Sequence, residues 1–174
     1  MDIDMINKKV CLLGAFCVGK TALVQKYVYS IFSDKYLSSV GVKISKKALT
    51  IDEIDMTLVL WDMEGKDLYG DVNVLYLRGV MGYFLVVDGK RRDTLQVALE
   101  LRDIALSIAG PQVPHYILLN KADLESEWEI SNDDLEMLRA QGIPFLKTSA
   151  KTGHGVEEAF VELTKSMLRQ EKGE

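Results

Sequence analysis

Cysteine is scarce in this chain. Cys11 and Cys17 are the two present, six positions apart, and two thiols at that spacing give neither a disulfide framework nor a zinc pattern. Reduced thiols are expected, and with them a cytoplasmic setting. Histidine is equally rare: His115 and His154 have no partners at ligand spacing, so neither predicts a metal centre. Positive charge is in deficit, with 21 Lys and Arg against 26 Asp and Glu and a net charge of −5. That balance excludes general binding to nucleic acid or to an anionic membrane, while leaving room for a local positive pocket. There is no Pro/Ser-rich linker, internal repeat or low-complexity tract. No run of eighteen apolar residues occurs and no signal peptide opens the chain. The last residues, Arg169 to Glu174, hold no cysteine, so no lipid anchor is expected in this chain.

What is there suits one domain. The 174 residues are 48% hydrophobic and 27% charged, ordinary values for a globular protein with a sizeable core, and residues 1–174 read as one unit. Apolar strand-like runs alternate with helical patterns. Lys9 to Leu13 reads as a strand and Thr21 to Val28 as a helix. Val42 to Ile51 and Ile54 to Trp61 read as a hairpin joined at Asp52-Glu53. Met81 to Val87 is a buried strand ending at Asp88. Asp93 to Ala109 is a helix stopped by Gly110-Pro111. His115 to Leu119 is a fifth strand. Ser131 to Asp134 caps a helix that runs to about Gln141. Pro144 to Thr148 is a sixth strand, and the last helix carries Val156, Ala159, Phe160, Leu163 and Met167 on one face. The alternation predicts an α/β fold: a six-stranded, mostly parallel sheet with one antiparallel strand and helices on both faces.

Between the first strand and the first helix stands Gly14-Ala15-Phe16-Cys17-Val18-Gly19-Lys20-Thr21. It fits G-x-x-x-x-G-K-[ST], a phosphate-binding loop, and strand before and helix after are the context that pattern needs. Gly14 lets the chain turn, and Gly19 lets the backbone approach a phosphate. The N–H groups from Phe16, Cys17 and Val18 through Gly19, Lys20, Thr21 and Ala22 then point at the anion. Lys20 brings an ammonium to the terminal phosphates, and the Thr21 hydroxyl is an oxygen ligand for Mg²⁺.

Three further motifs follow strand ends: Asp62-Met63-Glu64-Gly65, Asn120-Lys121-Ala122-Asp123 and Thr148-Ser149-Ala150-Lys151. With the phosphate loop, in this order, the chain resembles a Ras-superfamily small GTPase, nearest the Ras and Rab branches, over roughly Lys8 to Leu168. The resemblance implies a P-loop NTPase of the small-GTPase type, binding GTP or GDP with Mg²⁺. It implies that Asp123 accepts hydrogen bonds from guanine N1–H and the 2-amino group, donors that adenine lacks. Sites of that kind discriminate by roughly 10⁴-fold or more. Asn120 would tie this loop to the phosphate loop. The Ala150 N–H, beside Ser149, would donate to the guanine carbonyl. The stems of Lys121 and Lys151 would cover the purine faces. Phe32, twelve residues after Lys20, is either the aromatic that the family sets against the base or an ordinary core phenylalanine.

The same resemblance assigns two switches. Ser39, nineteen residues after Lys20, stands where a Thr usually completes the Mg²⁺ shell, with Thr21 and, through a water, Asp62. The Gly65 N–H would meet the γ-phosphate. Effectors, GAPs and exchange factors would read these loops, which the γ-phosphate orders. Three departures concern hydrolysis. Phe16 is bulky beside the γ-phosphate, where an arginine finger is worth roughly 10³–10⁵ in rate. Glu64 replaces a usual Ala. Lys66 replaces the Gln that orients the attacking water, and an ammonium has no acceptor for a water proton. The catalytic set is thus Lys20, Ser39, Gly65 and Lys66, with slow hydrolysis as the expectation. A GTP-binding module with negligible hydrolysis is the rival. An ATP-dependent phosphoryl transferase is opposed by Asn120, Asp123 and Ala150. Cys17 is a packing residue or a reactive thiol, and Arg78, Arg91 and Arg92 are expected on solvated surface.

Overall fold

The computed structural model describes residues 6–32, 41–63 and 75–174. The elements are β1 (Ile6–Gly14), α1 (Lys20–Tyr29), β2 (Val42–Ile51), β3 (Ile54–Met63), β4 (Gly82–Asp88), α2 (Asp93–Ala109), β5 (His115–Asn120), a 3-10 helix (Ala122–Glu127), α3 (Asn132–Ala140), β6 (Phe145–Lys147) and α4 (Val156–Glu171). The six strands form one sheet in the order β2-β3-β1-β4-β5-β6. β2 is antiparallel to β3, and every other pair is parallel. This is the predicted α/β arrangement. The 3-10 helix was not anticipated, because Ala122 to Glu127 carries no apolar face.

Local chemistry explains the joins. Asp52 and Glu53 both take positive φ, 51° and 64°, as a two-residue hairpin turn with the right twist demands. Ser131 caps α3: its hydroxyl accepts from the Asp134 N–H, and the Asp134 carboxylate accepts from the Ser131 N–H, a reciprocal box that satisfies two orphan donors.

Side-chain alternation along the central strands divides the core. Val10, Leu12, Leu58, Leu60, Phe84 and Val86 meet Leu23, Val24 and Tyr27 of α1 and Phe160, Leu163 and Met167 of α4. Cys11, Leu13, Leu85 and Val87 meet Leu95, Ala98 and Leu101 of α2 and Leu135 and Leu138 of α3 on the other face. The Tyr27 and Phe160 rings stack 3.8 Å apart, and Phe160 meets Phe84 edge-on at 4.9 Å. These contacts lock α1 and α4 against the sheet. β1 therefore lies between strands running on to opposite flanks, where the winding reverses. In parallel sheets the crevice at that reversal, beyond the strand C-termini, is where ligands bind.

Candidate nucleotide site

β1 ends in that crevice, and its glycine is required there. A Cβ on Gly14 would meet the Val86 carbonyl oxygen at 2.6 Å, so β1 and β4 pack this closely only with glycine. At the far end of the loop Gly19 has φ 102°, and a Cβ would stand 2.3 Å from Asn120 Nδ2. A side chain there meets both left-handed strain and a clash. Gly19 then leads into α1, with Leu23 N donating to Gly19 O at 2.9 Å. The N-terminus of α1 has no side-chain cap and directly follows the loop, as an anion site needs.

Lys20 is buried, and its Nζ donates to Gly14 O at 2.9 Å and to Ala15 O at 2.8 Å. The ammonium is thus held inside the curve of the loop. Thr21 Oγ1 donates to Asp62 Oδ2 at 2.5 Å, so a hydroxyl on α1 and a buried carboxylate on β3 meet across the crevice. Cys17 takes φ 62° and is exposed, so it is not a packing residue. Phe16 projects from the loop, 44% exposed.

The second loop cluster is built on β5 and β6. Asn120, 2% exposed, donates from Nδ2 to Val18 O at 2.9 Å and accepts from Thr148 Oγ1 at 3.2 Å. One side chain thereby joins the phosphate loop to the loops after β5 and β6. Lys121, with φ 68°, reaches Asp88 Oδ2 at 2.7 Å and Cys17 O at 3.5 Å. Ser149 is fully buried, and its hydroxyl donates to Asp123 Oδ1 at 2.7 Å. That bond holds an exposed carboxylate in one orientation at the crevice mouth. Ser149 Oγ also accepts from Thr152 N at 3.1 Å, shaping the turn that carries buried Ala150 and exposed Lys151. Phe32 is 37% exposed, which removes the core-phenylalanine alternative. Ser39, Glu64, Gly65 and Lys66 lie outside the described residues.

Two residues matter more than the sequence showed. Asp88 ends β4 and is buried. Burial alone would raise its carboxyl, but hydrogen bonds from Lys121, the Lys90 N–H and Arg91, with the Lys121 charge, hold it below the ordinary 3.8. Arg91 does not simply lie on solvated surface, as expected. Its Nε donates to Asp88 Oδ2 at 3.1 Å, and its Nη2 donates to Phe16 O at 2.7 Å. Asp88 at a strand end was the available signal. Nothing in the spacing tied Arg91 to a loop 75 positions earlier.

A glycine-bounded loop leading into a helix N-terminus, with a buried ammonium in its curve, defines a nucleotide-binding domain of the phosphate-loop class. The Ras family model matches residues 9–169, and the chain belongs to the Ras family of small GTPases. It is 32% identical to the Ypt/Rab-type GTPase ypt7 of Pyricularia oryzae, covering 95% of this chain and 84% of that protein. It is 32% identical to the Ras-related protein Rab-21 of Dictyostelium discoideum, over 95% of this chain and 78% of the relative. With mouse Rab-21 the identity is 33%, over 92% and 72% of the two chains. Among the described residues, no helix is long and apolar enough to cross a membrane.

Proposed function

We propose that this chain is a Mg²⁺-dependent guanine-nucleotide switch that hydrolyses GTP to GDP slowly. The observation that carries the guanine reading is the Asp123 carboxylate, fixed by the buried Ser149 hydroxyl beside a loop that Asn120 ties to the phosphate loop. A carboxylate in that place pairs with the two N–H donors on one edge of guanine and is left unpaired by adenine. The donor set also suits the metal. Thr21 Oγ1 and Asp62 Oδ2 converge at 2.5 Å, and hard oxygen ligands together with phosphate oxygens and water are what Mg²⁺ takes. Bound there, Mg²⁺ would neutralise phosphate charge. Lys20 would supply its ammonium to the terminal phosphates, and Ser39 the remaining protein hydroxyl.

Slow hydrolysis rests on Phe16 and Lys66. The exposed Phe16 ring occupies the loop where an arginine from outside would approach, and Lys66 cannot accept a proton from an attacking water. Effector, GAP and exchange-factor proteins would read the switch segments around Ser39 and Gly65. Two measurements test this. GDP should raise the melting temperature and ADP should not; equal shifts, or none, refute the guanine reading. Single-turnover hydrolysis should be faster in Lys66→Gln than in the parent; an unchanged or lower rate refutes the role given to Lys66. The Phe16 geometry also favours a second reading, a GTP-binding module without useful turnover. A Lys66→Gln variant as inert as the parent supports that reading.

A further inference from the structure

The peptide unit is planar and trans, so a carbonyl pinned outward turns the next residue's N–H inward. Three consecutive carbonyls of the phosphate loop are pinned in this way, by groups from other loops. Arg91 holds Phe16 O at 2.7 Å, Lys121 holds Cys17 O at 3.5 Å and Asn120 holds Val18 O at 2.9 Å, while Lys20 holds Gly14 O and Ala15 O from within the curve. The N–H groups of residues 17 to 19 are aimed accordingly. Lys20, Lys121 and Asn120 belong to the motifs already described. Arg91 belongs to none of them; it comes from the turn between β4 and α2.

We propose that Arg91 is a positioning residue for nucleotide retention. Its guanidinium bridges the buried Asp88 carboxylate and the Phe16 carbonyl, and so aims the Cys17 N–H at the bound phosphates. The turn that carries Arg91 is itself fixed. Arg91 N donates to Asp88 O at 2.9 Å, Thr94 Oγ1 donates to Arg91 O at 2.7 Å, and Gly89 N donates to Asn120 O at 3.1 Å. On the other side, Arg92 pairs with Asp134 of α3 at 2.8 Å. The 89–92 turn is therefore a strut between the phosphate loop and the loop that reads the base. The bond from Arg91 anchors the loop through the Phe16 carbonyl. The fork geometry of the guanidinium matters: Nε and Nη2 meet the two acceptors from separate atoms of one rigid plane, whereas all three donors of an ammonium leave a single nitrogen.

This inference rests on the guanine-nucleotide reading, and one experiment separates the two. Release of a fluorescent GDP analogue is followed from the parent, Arg91→Gln and Arg91→Lys proteins, at fixed Mg²⁺ and salt. One partly exposed charge-assisted hydrogen bond corresponds to about ten-fold faster release from Arg91→Gln, with Arg91→Lys in between. The ³¹P resonance of the GDP β-phosphate should also move in Arg91→Gln, while the melting temperature of nucleotide-free protein stays put. A parent that holds GDP and an Arg91→Gln protein that releases it within two-fold of the parent rate overturn the role of Arg91 alone. So does faster release with an unmoved β-phosphate resonance and a lowered nucleotide-free melting temperature, which marks general loosening. Unchanged release with slower hydrolysis overturns it as well, by placing Arg91 on the transition state. A parent that takes up no GDP removes both readings.

Discussion

Replacing Asn120 by Ala should destabilise the protein even without nucleotide. Asn120 Nδ2 donates to Val18 O at 2.9 Å, and Thr148 Oγ1 donates to Asn120 Oδ1 at 3.2 Å. Val18 and Thr148 are both fully buried, so truncation orphans a carbonyl and a hydroxyl away from water. Each orphan costs about 1–3 kcal/mol. Some water entry at the crevice offsets part of this, so a loss of roughly 3 kcal/mol is expected. In a chain of this size that corresponds to a fall of about 6–12 °C in melting temperature. The assay is urea unfolding of EDTA-stripped protein, which removes the contribution of bound ligand. Asp123→Ala is the control. Its partner Ser149 loses one acceptor, but the carboxylate is exposed, so the nucleotide-free loss should stay below about 1 kcal/mol. Both variants should lose guanine-nucleotide affinity. Should Asn120→Ala unfold at the parent's urea midpoint, or should Asp123→Ala cost as much as Asn120→Ala, the division between a structural tie and a base reader is wrong.

Two further outcomes follow from buried and exposed titratable groups. Burial, with the Arg102 charge beside it and only the Val113 carbonyl bond opposing, holds His115 below its usual 6.5, and its Nε2 accepts from Arg102 Nε at 3.0 Å. The unfolded chain then takes up this proton first, so stability should fall as pH drops through 6.5, and His115→Gln should flatten that part of the profile in urea titrations from pH 8 to 5.5; an equally steep parent-like slope in the variant rejects the assignment. Iodoacetamide should modify exposed Cys17 and spare Cys11, whose thiol burial pushes up to about 12, and GDP should slow the reaction at Cys17. Peptide mapping that finds Cys11 alkylated at a comparable rate contradicts the burial shown here.

Most of the frame was legible because it is written in local chemistry. Period-two apolar runs and helical spacings reflect which face of each element is dry, so the six strands, the hairpin and the Ser131 cap could be read directly. The glycines and the lysine of the phosphate loop could be read too, since backbone approach to an anion restricts residue type within eight positions. The chain order of Asp62, Asn120, Asp123 and Ser149 carried the resemblance to small GTPases for the same reason.

What the tertiary structure alone decided is which distant groups share a hydrogen bond. Ser149 meets Asp123, and Arg91 meets Phe16 across 75 positions; for Asn120, whose tie to the phosphate loop was expected, folding picked out the Val18 carbonyl as the acceptor. Such pairings depend on strand order and register, and a parallel sheet assembles those from segments far apart in sequence. No local pattern distinguishes Arg91, which is bonded to the loop, from Arg92, which turns to α3. The physical reason is that a solvated guanidinium and a bridging one have the same local sequence; they differ only in what folding carries to within 3 Å of them.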